Sequence, residues 1–335
     1  MGCRTCLFSS TWSGTRLAWL SLVPVFSTSP LVFALTSVGA GQTQNIDQNT
    51  APDNYIARDG GVLNASGAST FEVSINSGAQ FNALGGTYSG RLGSAGIAVS
   101  NAAANVSDAT VTGSRMGMFI GRNSGTTTGS TAVISGSRIT GQTSGIETSG
   151  GSDIQLTDTH LSATGASGVG LNAFGAEVRA VGGSMTGGMN GIRLRPDLGG
   201  VGNGANVSLD HVLVQGLSGA AILANSGVNA QIRVLNGTQL LAGNSVLLDV
   251  QDASTVIMSV EGSTLEGNIN IAGNSTGNLT FDQGRMTGDV LVENGSTANV
   301  TLQNSSQFTG RLDKVDGVTV NSGSIWTLTG NDTVG

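Results

Sequence analysis

From about residue 62 onward, apolar and polar residues alternate in short runs separated by turns. Ile154-x-Leu156, Val207-x-Leu209, Ile232-x-Val234, Leu279-x-Phe281 and Val300-x-Leu302 lie before a turn; Val169-x-Leu171, Ile192-x-Leu194, Ile269-x-Ile271 and Val290-x-Val292 lie after one. A period of two is the pattern of a strand with one buried face, and no stretch keeps the i, i+3, i+4 spacing long enough to predict a helix. Glycine ends the turn between the runs at Gly90, Gly113, Gly141, Gly165, Gly187, Gly216, Gly243, Gly267, Gly288, Gly310 and Gly330. These glycines recur at intervals of 20 to 29 residues, with a period near 23. A period of this size over eleven copies means a solenoid. Leucine-rich repeats fit the period but need a fixed asparagine ladder and several leucines per copy, which the repeats lack. The pattern therefore predicts an all-β chain: a right-handed parallel β-helix of about eleven coils over residues 62–335.

The predicted packing follows from this register. Each coil lies one strand spacing, ~4.8 Å, above the last, with backbone hydrogen bonds along the axis. Two residues before each landmark glycine stand Tyr88, Val111, Ile139, Ala163, Met185, Val214, Leu241, Leu265, Met286, Phe308 and Leu328, the expected internal column. The glycines themselves are expected to take a left-handed or tight conformation that a side chain would oppose.

Composition agrees with a ladder-stabilised fold. The chain has 53 glycines, 10% charged residues and 4% aromatics, and its only cysteines, Cys3 and Cys6, precede the repeats. Without disulfides or an aromatic core, stability has to come from the stacked backbone. Residues 1–40 read differently. Arg4 and Arg16 precede the apolar run Leu17–Phe26, and Val38-Gly39-Ala40 offers small residues for cleavage, as in a secretory leader. Residues 41–61 are polar and aperiodic, an expected N-terminal segment. The net charge is −7 with Lys314 the single lysine. An acidic chain repels phosphate backbones at long range, which argues against nucleic acid as a partner.

The leader, the cysteine-free repeats and the turn glycines resemble the pertactin-like passenger domains of bacterial autotransporters. The most motif-like stretch is Gly323-Ser-Ile-Trp326-Thr-Leu-Thr-Gly330-Asn-Asp-Thr-Val334, similar to the G-x-x-W-x-x-T-G-x-S/T-x-V stretch near the end of such stems. The resemblance implies an exported adhesin or virulence-type interaction protein, at the cell surface, in the outer membrane or extracellular. A host cell-surface or matrix component is the implied partner. Passengers are followed by an outer-membrane β-barrel translocator; here no barrel strands follow Gly330, so the translocator is expected to be separate or missing, with a periplasmic location if it is absent.

Candidate chemistry is sparse. His160 and His211 each lie five residues before a landmark glycine and are expected to share one side of the rod, with Asp158 and Asp210 near them. Two coil steps, ~10 Å, are too far for a shared zinc. The carboxylates Glu147, Asp153, Asp158 and Asp210 sit at different offsets from their glycines and assemble no cleft. Gly199–Gly204 lacks the aspartate of a calcium-binding nonapeptide. No catalytic, cofactor-binding or metal residue is assigned, no cofactor is expected, and the chain reads as non-enzymatic. Two alternatives stand beside this: a secreted β-helix polysaccharide lyase or hydrolase, and a purely structural stem of a truncated autotransporter. The loop Arg193–Gly204, which contains Pro196, is the place where an insertion would hold a binding surface.

Overall fold

In the computed structural model of the chain, the described residues are 35–334 without 92, 198, 200–203, 322 and 332. Among them every regular element is a strand, and the strands stack in parallel into long ladders. Sheet A has 14 strands, from Leu35–Val38 to Thr333–Val334; sheet B has 13, from Thr43–Asp47 to Gly317–Val320. The third side is divided between sheet C, eight strands from Ser69–Thr70 to Gln239–Ala242, and sheet D, four strands from Thr264–Glu266 to Ile325–Thr327. The chain visits the sides in turn, the path of a right-handed parallel β-helix. There are about thirteen coils, a solenoid of roughly 60 Å at ~4.8 Å per coil.

The segment expected to be a polar tail takes part in the two extra coils, whose other strands are Leu35–Val38, Val62–Ser66 and Ser69–Thr70. Residues 41–61 contain the strands Thr43–Asp47 and Asn54–Ala57, which bury Ile46, Tyr55 and Ala57. Few apolar residues suffice there because alternate positions face water. Within the residues read as a leader, the strand Leu35–Val38 pairs in register with Asn54–Ala57 and buries Val38. The basic and apolar parts of the expected leader, Arg4, Arg16 and Leu17–Phe26, lie outside the described residues.

The internal column runs Tyr88, Val111, Ile139, Leu161, Met185, Val214 and Leu240 through sheet C. It resumes in sheet D with Leu265, Met286, Phe308 and Trp326. Three expected members are displaced. Leu161 replaces Ala163, Leu240 replaces Leu241 and Trp326 replaces Leu328; Leu241 and Leu328 are instead 44% and 52% exposed. The cause is the landmark. Ala163 and Ala242, not Gly165 and Gly243, occupy the glycine's place in the ladder, opposite Gly141 and Gly216. Tyr88 is inside as expected; burial pushes its phenol up to about 12, and its hydroxyl donates to the Gly85 carbonyl at 3.2 Å.

Of the two causes expected for the landmark glycines, a left-handed or a tight conformation, the tight one prevails. Positive φ occurs only at Gly267, Gly288 and Gly310, at 140–155°. At Gly113, Gly187 and Gly216 a Cβ would come within 1.7, 1.9 and 2.2 Å of the carbonyl oxygens of Met116, Asn190 and Ala220. Here the tight passage of the backbone into sheet A demands glycine. One set of left-handed residues forms another column, at the turn leaving sheet B. Asp108, Asp158, His211, Asn236, Gln283 and Asn304 stand there with φ of 46–54°, alongside glycines such as Gly136 and Gly182. Each of these backbone N–H groups that continues the stack donates to the next coil, as Asp108 does to Ser135 at 2.9 Å and Asp158 to Val181 at 2.8 Å.

Candidate functional site

The residues singled out from the sequence do not converge. His160 points outward from sheet C, with Nδ1 2.9 Å from Ser184 Oγ. His211 occupies the left-handed turn instead, its Nδ1 2.5 Å from Asp210 Oδ1. The expectation that both face one side is therefore corrected: Gly165, from which His160 was counted, is not the equivalent of Gly216. Asp153 lies on the outer face of sheet B, where Arg179 pairs with it at 2.9 Å, and Asp158 sits in the turn. Glu147 is on sheet A, 3.1 Å from the Asn172 amide that donates to it. These four carboxylates belong to three different places.

The loop at 193–204 is described only in part, since residues 198 and 200–203 fall outside the described set. Its described portion is anchored rather than free. Asp197 is buried and accepts from Arg122 Nη2 at 2.7 Å and from the Gly150 backbone at 3.1 Å. Removing either partner of so dehydrated a pair would leave a buried charge, a cost of about 3–5 kcal/mol.

Sheet A brings together a pair of carboxylates that the sequence reading missed. Its outer row runs Glu147, Asn172, Arg193, Leu223, Asp249, Asn270, Leu291. A trough of about 340 Å³ is lined by Asp249, Gln251, Asn270, Leu291 and Glu293. Burial holds the Asp249 carboxyl above the usual carboxylate range, opposed by the Gln251 amide that donates to it at 2.7 Å. Glu293 reaches back one coil to accept the Gly273 N–H at 2.8 Å. Buried Asn270 Oδ1 has no partner among the described residues. The sequence offered no common position for them: Asp249 lies within the strand Val246–Val250, in the row of Asn270 and Leu291, whereas Glu293 just follows the strand Val290–Val292 two coils on.

Sheet B presents a second trough, of about 730 Å³, on its first five strands. One wall is a row of four asparagines, Asn45, Asn64, Asn82 and Asn105, in strict register. Their amides are hydrogen-bonded in series: Asn64 Nδ2 donates to Asn45 Oδ1 at 2.9 Å, Asn82 to Asn64 at 2.9 Å and Asn105 to Asn82 at 3.0 Å. The opposite wall is Asp47, Ser66, Leu84, Ser107 and Ser135. This row is not the ladder of every copy that leucine-rich repeats need: it stands on the solvent face over four coils, with one further link from Asn299 to Asn278 at 3.2 Å. Unequal spacings of 19, 18 and 23 residues hid it.

No family model and no curated protein matches the sequence. Among solved structures, the chain is similar to the enzymatically active domain of tailspike protein 2 of bacteriophage CBA120, at 11% identity and a TM-score of 0.29. The match covers 88% of this chain and 47% of that one, so the chain spans about half the length of the tailspike domain. The expectation of a non-enzymatic chain is corrected by this finding, because the matched domain is described as enzymatically active.

Proposed function

We propose that the protein is an exported interaction rod of the adhesin type, similar to pertactin-like passengers, which engages a host cell-surface or matrix component through its lateral faces. The observation that supports this reading most is the in-register row of asparagines along the sheet B trough, held in place by side-chain hydrogen bonds. Backbone donors and acceptors on that face are already paired between coils, so recognition there falls to side chains and is set by their register. Trp326, in the stretch that resembles the passenger stem, stacks under Phe308 in the ladder and donates from Nε1 to the Gly310 carbonyl at 3.1 Å. The test is adhesion of the purified protein to cultured cells and immobilised matrix. Saturable binding is expected, and absence of binding across both would sink the reading.

A second reading, cleavage of a polysaccharide on sheet A, is favoured by one observation: a carboxyl kept protonatable at Asp249 in the same trough as Glu293. Two coil steps, ~10 Å along the axis, separate the backbones, and room for a water between two carboxyls is what inverting hydrolysis needs.

A further inference from the structure

We propose that the sheet B trough is a binding site for a neutral glycan lying extended along the axis of the solenoid. The proposal rests on the lateral-face reading and names the ligand class for one of those faces.

The first argument is hydrogen-bonding arithmetic. A carboxamide has two N–H donors and an oxygen with two lone pairs. In the row Asn45–Asn64–Asn82–Asn105 each link uses one N–H and one lone pair. Every asparagine therefore keeps at least one donor and one acceptor for the solvent side. These pairs repeat at the coil spacing, ~4.8 Å, comparable to the rise per sugar of an extended glycan. Hydroxyls of a pyranose both donate and accept, so a chain parallel to the axis meets one amide per ring.

The second argument is preorganisation. The links fix which way each amide points, so little side-chain freedom is lost on binding. The third is the composition of the trough. Ser66, Ser107 and Ser135 add hydroxyls on the far wall, while Leu84 and Val133 are 60% and 48% exposed at its centre and end. Those two apolar side chains suit the C–H face of a sugar ring. The fourth is charge. Asp47 is the single ionisable residue lining the trough, and it is engaged by the Asn49 N–H at 2.9 Å. No lysine or arginine lines it, so an anionic polymer would find no counter-charge. An added peptide strand is disfavoured too, because the ladder bonds run between coils and leave no free edge on this face.

The experiment is titration of the full chain with cellohexaose, mannohexaose and maltohexaose, and with hexagalacturonate as the anionic control. At least one neutral hexasaccharide is expected to bind with little dependence on salt. Asn82→Leu should weaken it at least about tenfold, as should Leu84→Asp, a second variant at an exposed site that does not touch the amide row. Three results would overturn the proposal: no neutral hexasaccharide binding, affinity unchanged in both variants, or binding confined to hexagalacturonate. The adhesion assay separates this from the broader reading. Adhesion without neutral-glycan binding removes the trough and leaves the adhesin. Glycan binding at the trough without adhesion does the reverse.

Discussion

At the scale of single residues, the solenoid is set by close passages rather than by conformational freedom. Gly113 is the sharpest case, because a Cβ there would stand 1.7 Å from the Met116 carbonyl oxygen. Gly113→Ala should cost about 3 kcal/mol as backbone is forced apart, read as a lower denaturant midpoint. Gly204→Ala is the control: its Cβ would meet its nearest neighbour at 3.6 Å, and its stability should be nearly unchanged. If the two behave alike, the close-passage account is wrong. The sequence made these glycines conspicuous without revealing why, since left-handed turns and tight crossings select the same residue. The true left-handed column escaped notice because Asp, Asn, His and Gln share it with glycine. Asn and Asp tolerate that conformation through short polar side chains; nothing in the structure explains His211 or Gln283 there.

At the scale of strands, alternation was legible wherever apolar residues marked the inward positions. Ile154 and Leu156, or Leu279 and Phe281, are buried as their spacing predicted. It failed where the inward residues are small or few, as in Thr43–Asp47, and where two leucines adjoin. In Gln239-Leu-Leu-Ala242 the sequence offers no reason to choose between Leu240 and Leu241; pairing with Val214 chooses Leu240. Leu240→Ala should therefore lose about 2–5 kcal/mol, whereas Leu241→Ala should change stability by less than about 0.5 kcal/mol. Equal losses in chemical denaturation would contradict the register. This strand is also the last of sheet C, and just beyond it the sheet A ladder slips between Val246 and Leu248. The division of the third side into two sheets falls beside that local irregularity, which no periodic reading of the chain displays.

At the scale of the whole solenoid, side chains far apart in sequence become rows, and function has to be sought in the rows. The asparagine row joins residues 45 to 105, and the sheet A trough joins Asp249 to Glu293. Neither is a motif of consecutive residues, which is why the fold could be read from the sequence more fully than either site. Motif-based inspection drew attention to His160, His211 and the 193–204 loop, whereas the structure disperses the histidines and ties Asp197 to Arg122. The absence of cysteine beyond Cys6 allows a direct examination of the lateral faces. Single cysteines placed at Asn64 on sheet B, Asn172 on sheet A and Ser162 on sheet C can each receive a bulky maleimide, and adhesion can then be measured on every labelled protein. The account predicts that the label at Asn64 abolishes adhesion while the label at Ser162 leaves it intact. Adhesion that survives labelling of all three faces would contradict the claim that the rod binds through its sides.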